Sequence, residues 1–158
     1  MQYMSQRWPK HKDILVAKVV LKACQYFIWM RHKGATNSRE YMEYLKLFEI
    51  LDKKPLLKKC NSCGNTATSF GIFRNKVIAY YLCDDCKVDY LGFDMTYISG
   101  IRHYESIKTI PCGRLKNDST NYNNIIYEIA MAKGAPKFNL CKSVKSDDLV
   151  KAFFINKD

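Results

Sequence analysis

Residues 58–87 read KKCNSCGNTATSFGIFRNKVIAYYLCDDCK, and this stretch decides the architecture. Cys60 and Cys63 form one C-x2-C pair, Cys83 and Cys86 a second, and nineteen residues separate the pairs. Two intervening residues let one tight turn present both sulfurs of a pair to a single ion. Four thiolates spaced in this way make a tetrahedral zinc site. Gly64 stands where such a knuckle commonly needs a positive φ. Residues 66–73 and 77–82 are rich in β-branched and aromatic side chains and read as two strands. Arg74, Asn75 and Lys76 form the turn between them, so the hairpin brings the second pair back to the first. After Cys86 the run Lys87, Val88, Asp89, Tyr90, Leu91 has no breaker before Gly92, which favours a helix there over extended chain.

Upstream, residues 1–11 form an irregular basic start containing Arg7, Trp8, Pro9, Lys10 and His11. Residues 12–32 have one continuous helical pattern. Lys18, Lys22 and Gln25 share a face and almost every other position is apolar, which is the pattern of a helix buried on most sides. Asn37 with Glu40 reads as a capping box, opening a helix over 38–51 whose apolar stripe is Tyr41, Tyr44, Leu45, Phe48 and Leu51. Together they predict an antiparallel hairpin. The basic connector Lys53, Lys54, Pro55, Leu56, Leu57, Lys58, Lys59 leads directly into Cys60.

Downstream, residues 93–110 fit helix and strand equally. Residues 118–133 predict a helix with Tyr122, Ile125, Ile126, Ile129 and Ala130 on one side, stopped by Gly134 and Pro136. Ser146 caps a predicted last helix reaching Phe154, with Leu149, Val150, Phe153 and Phe154 apolar. The fold class is α+β: a mainly helical body with a four-cysteine hairpin module. Residues 1–57 form an N-terminal helical hairpin and 58–92 the zinc-binding module. Residues 93–158 form a C-terminal helical part packed with 1–57 as one compact domain.

The chain has 158 residues, 47% of them hydrophobic, enough to bury a core. Its net charge of +11 favours an acidic partner: DNA or RNA first, then an anionic membrane or an acidic protein. Lysine far outnumbers arginine, which suits contact with phosphates better than bidentate reading of bases. It also fits an AT-rich genome. With four cysteines assigned to metal, Cys24, Cys112 and Cys141 remain, an odd and scattered set that is no secreted disulfide framework. No signal peptide or membrane span is visible. The expectation is an intracellular protein of the cytoplasm, or of the nucleus if the source is eukaryotic or viral.

Four thiolates fill a tetrahedral shell and leave no position for water or substrate, so the Zn2+ is expected to be structural. A zinc deaminase needs an H-x-E element beside its second cysteine pair, and the chain has none. No histidine lies between Cys60 and Cys86 to serve as a hairpin nuclease's base. The cluster Arg102, His103, Tyr104, Glu105 is the remaining acid–base candidate. His103, Cys112 and Cys141 match no metal-binding pattern, and Cys24 reads as a small buried side chain. There is no glycine-rich phosphate loop and no nucleophile elbow.

Nucleic-acid contact is better supplied. Lys53, Lys54, Lys58 and Lys59 flank the first knuckle, and Arg74 and Lys76 stand at the hairpin tip, where cations reach a phosphate backbone. Phe70, Phe73, Tyr80 and Tyr81 have two readings, as platforms for unpaired bases or as core packing against the helices. Over residues 58–92 the C-x2-C-G and C-x2-C hairpin resembles the broad zinc-ribbon and treble-clef class. That class includes transcription, ribosomal, polymerase, repair, transposition and protein-docking modules, so the resemblance implies a metal and a fold element without a function. The expectation is a non-enzymatic basic zinc protein engaging nucleic acid or a nucleoprotein complex, suited to a viral or mobile-element accessory role. The alternative is an adaptor, inhibitor or assembly subunit docking on a larger, acidic protein through the zinc hairpin or the apolar first helix. The third is a nuclease with a dispersed site.

Overall fold

The structure is a computed structural model that describes residues 1–73, 79–89, 95–98 and 119–155, with backbone alone at 72–73, 79, 95–98 and 119–122. In chain order it contains α1 (Val16–Lys22), α2 (Gln25–His32), α3 (Arg39–Lys53), β1 (Ser69–Phe73), β2 (Ala79–Leu82), α4 (Asp84–Asp89), β3 (Met95–Ile98), α5 (Ser119–Ala132) and α6 (Val144–Ile155). The class is α+β, with a three-stranded sheet beside the helices.

The continuous apolar pattern of 12–32 places α1 at the centre. Six consecutive residues, Val16 to Leu21, are buried, and the helix packs against α3, α5 and α6. Its polar stripe does not face water. Lys18 is fully buried, with Nζ 2.5 Å from the Asp147 carboxylate of α6 and 2.8 Å from the Cys141 carbonyl. Lys22 donates to the Phe138 carbonyl, and its ammonium lies 4.3 Å from the Tyr127 ring centre. Both lysines bury their stems and find charge, carbonyl or π partners at the tip.

The single predicted helix is two helices. At the break the Gln25 N–H donates to the Asn123 side chain of α5 at 3.1 Å, in place of a carbonyl one turn back. No glycine or proline marks this point, so local sequence carries no signal of it. In the second helix the start shifts by one residue. Ser38, and not Asn37, is the cap, its Oγ accepting from the Tyr41 N–H at 3.2 Å. Glu40 turns away from any capping box and accepts from the Ser5 N–H at 3.3 Å. The buried face is Tyr41, Tyr44, Leu47, Phe48 and Leu51, while Leu45 is exposed, because Leu47 and not Leu45 continues the 3.6-residue stripe.

The basic start is tied down. Met4 and Trp8 are buried, and the Met4 N–H donates to Ile14 while the Met4 carbonyl accepts from Asp13. In α5, Ile125, Ile126, Ile129 and Ala130 are buried as their spacing predicts; Tyr122 lies outside the described side chains. Gly134, at φ +90°, turns the chain out of that helix. The last helix begins at Val144, two residues before the expected Ser146 cap, and Leu149 is exposed. The Asp147 N–H is taken by the Ser143 carbonyl, and the Ser146 hydroxyl also donates to it.

β1 is the central strand, antiparallel to β2 and to β3. The ambiguous segment 93–110 therefore supplies a strand at Met95–Ile98; its other residues lie outside the described set. Phe70 pairs with Tyr81, and both join the core shared with the helices. Leu82 instead packs with Cys60 and Cys83, with Tyr80 against them. Alternation along a strand explains the split: Tyr81 faces the body, and Tyr80 and Leu82 face the cysteines. Among the described residues no helix is long and apolar enough to cross a membrane.

Candidate metal centre

The first knuckle is built by backbone hydrogen bonds. The Cys60 N–H donates to Asn65 at 2.6 Å and the Gly64 N–H returns to Cys60 at 3.0 Å, with Gly64 at φ +78°. That conformation carries a steric penalty for any residue with a Cβ. Asn61 locks the knuckle to the hairpin: its N–H donates to the Tyr81 carbonyl, and its Oδ1 accepts from the Tyr81 N–H at 2.7 Å. The second pair lies at the start of α4. Cys83 immediately precedes the helix, its carbonyl accepts from the Lys87 N–H, and Cys86 follows in the first turn. The Thr68 hydroxyl reaches across from the hairpin to Asp84 at 2.9 Å.

These elements bring the four Sγ atoms within 4.8 Å of one another. Cys63 and Cys83 approach to 3.6 Å. A tetrahedron with metal–sulfur bonds of about 2.3 Å has edges of about 3.8 Å, so the thiols stand close to the spacing a bound ion imposes. Cys60 and Cys83 are buried and Cys63 is exposed. Burial raises the Cys60 thiol, but hydrogen bonds from the Cys63, Cys83 and Ser62 backbones outweigh it and bring the pKa to about 6. Cys86 receives help from the Ser62 hydroxyl, yet its Cys63 and Cys83 neighbours push it up to about 12. A divalent ion removes that conflict by stabilising all four as thiolates.

The other predicted contact residues are spread more widely. Lys53, Lys58 and Lys59 are exposed, and Lys53 pairs with Glu49 at 3.0 Å. Lys54 is buried, with its ammonium 5.1 Å from the Phe153 ring centre. Lys58 lies 6.0 Å from the Tyr81 ring centre. Burial raises the Glu128 carboxyl, and the Lys58 charge opposes that rise. Burial and then the Glu128 charge push Tyr81 to about 12. Lys58 is thus partly engaged where the module meets α5. Arg74, Lys76, Phe73, His103 and Cys112 lie outside the described side chains. Phe70 and Tyr81 are buried and pack the core, while Cys24 is buried and Cys141 exposed.

The connector into the module was not legible as a joint. The Lys133 ammonium donates to the Asp52 and Lys54 carbonyls at the end of α3, and the Leu57 N–H donates to Ala132 at 2.7 Å. The end of α5 therefore holds the segment that enters Cys60. No protein-family model matches the chain, and neither the curated proteins nor the solved structures contain a match.

Proposed function

We propose that this is a non-enzymatic basic zinc protein that engages nucleic acid or a nucleoprotein complex, with the cysteine module as the contact element. The observation that carries this reading is a closed four-sulfur cluster entered by a connector with exposed Lys53, Lys58 and Lys59. Zinc fits the donor set: four soft thiolates at tetrahedral spacing. When bound, the ion fixes the two knuckles and supplies no open position. The helix at the second pair favours the treble-clef reading over a plain ribbon. The net charge of +11 supplies the attraction for phosphates. The Lys58→Glu, Lys59→Glu double variant tests this. Single- or double-stranded DNA or RNA should bind the native protein with affinity that falls steeply with salt. The variant should shift the log–log salt slope by about one per lost phosphate contact. Binding that ignores salt, or none at all, refutes the reading.

Exposed apolar side chains support a second reading, docking on a larger protein through the module and the connector that enters it. Leu57 is 64% and Val88 62% exposed. Within the apolar first segment, α1 is enclosed by its own chain and offers such a partner little, while α2 leaves Trp29 exposed. A stoichiometric protein that co-purifies and is lost in Leu57→Ser, Val88→Ser would favour it.

A further inference from the structure

Away from the cysteines, the basic start and α2 enclose a cleft of about 600 Å³, within the range of small-ligand sites. Its wall is aromatic. Tyr26 and Trp29 stack at 5.2 Å with 27° between their planes, and His11 meets Tyr26 edge-on at 4.6 Å. Trp8 also meets Trp29 at 6.0 Å in an edge-to-face arrangement. Trp29 is nevertheless 44% exposed. A partly exposed indole among other aromatic rings offers a surface on which a flat ring can stack.

The rim carries the Lys10 charge. Lys10 and His32 line the cleft and are exposed, and among the described lining residues there is no carboxylate. Asn123 and Gln25 add amides. The Asn123 oxygen is committed to the Gln25 N–H, which leaves the Asn123 amide donors for a ligand. Flat aromatic walls, amide groups and a lysine at the rim call for a planar, hydrogen-bonding, anionic ligand. We infer that this cleft takes one unpaired nucleotide of a single-stranded nucleic acid. Its base stacks on Trp29 and its phosphate faces Lys10 and His32. This rests on the nucleic-acid reading above and adds to it a second contact point, specific for unpaired bases and remote in sequence from the zinc module.

The test uses the full-length zinc-loaded protein, a fluorescent-free oligothymidylate and an abasic oligomer of equal length and charge. Trp8 and Trp29 are the two tryptophans of the chain, so intrinsic fluorescence reports stacking directly. The oligothymidylate should quench it and bind more tightly than the abasic oligomer. Trp29→Ala should remove most of the quenching and lower affinity by roughly 5- to 150-fold, with little effect on the abasic oligomer. Lys10→Glu should weaken both. Circular dichroism confirms that the variants fold. Equal affinity for both oligomers, unchanged in Trp29→Ala, overturns the cleft as a base site and leaves phosphate contact by the module standing. No binding of either oligomer at low salt overturns both readings. Quenching by a free mononucleotide or an acidic peptide, but not by the oligothymidylate, overturns the polynucleotide assignment.

Discussion

The helical body and the cysteine module are held together by different physics. The body has one continuous apolar core around α1, and it places even the Lys18 side chain inside. The module owns only a small cluster, Cys60, Leu82 and Cys83, and borrows the body for Phe70, Tyr81 and Ala67. Removing a cation should therefore leave one region folded and dissolve the other. Burial of apolar surface scales with the amount of chain available, and the module has too little of its own. A coordinated cation would supply what burial does not.

The largest expected effect breaks that comparison at the metal. Structural zinc contributes on the order of 10–16 kcal/mol to small modules of this kind. Chelation, or Cys60→Ser, should disorder the module while the helical far-UV signal persists. Cobalt substitution should give thiolate charge-transfer bands and tetrahedral d–d bands. A chain that binds no cobalt, or whose helices melt together with the metal's loss, would show that the two regions are not separable in this way.

The next effect lies inside the body. Lys18→Met leaves the Asp147 carboxylate buried beside the Tyr3 hydroxyl alone, 3.0 Å away. Breaking a buried pair from one side costs about 3–5 kcal/mol, to be measured by urea denaturation. The double variant Lys18→Met, Asp147→Leu should recover much of that loss, since an apolar pair of similar volume needs no solvation. Cobalt bands should be unchanged in both. If the double variant is as weak as the single, the carbonyl contacts of Lys18 and not the ion pair hold α6 in place.

The smallest effect depends on pH. Burial, and then the Lys10 charge, holds His11 below its ordinary value of 6.5. The unfolded chain thus takes up this proton first. Stability from neutral His11 is full above pH 6.5 and is lost as pH falls from 6.5 towards the depressed folded value. His11→Gln should flatten the dependence of Tm on pH in that window by a few degrees at most. An equally steep profile in the variant would place the titration elsewhere.

Much of the metal centre was legible because its determinants are local. Spacing within each pair sets which sulfurs share a turn, and Gly64 permits the turn. Helix existence was legible for the same reason, since the apolar period reports burial over consecutive turns. The failures share a cause. The break after α1 depends on Asn123, nearly a hundred positions away, and the Ser38 start on competition for Glu40 by Ser5. The sequence named no partner for the Lys18 and Lys22 face of α1, yet Asp147, Cys141 and Phe138 meet it in the core.

By itself, then, the sequence determined the α+β class, the four sulfurs and the positive charge, all of which follow from residue type and short-range spacing. The tertiary structure alone decided how the sulfurs converge, that Lys54 and Lys58 engage the body, and that Trp8, Tyr26 and Trp29 form a single aromatic wall. Those outcomes depend on partners distant in sequence, and neither pattern nor composition specifies which buried group will meet a given side chain.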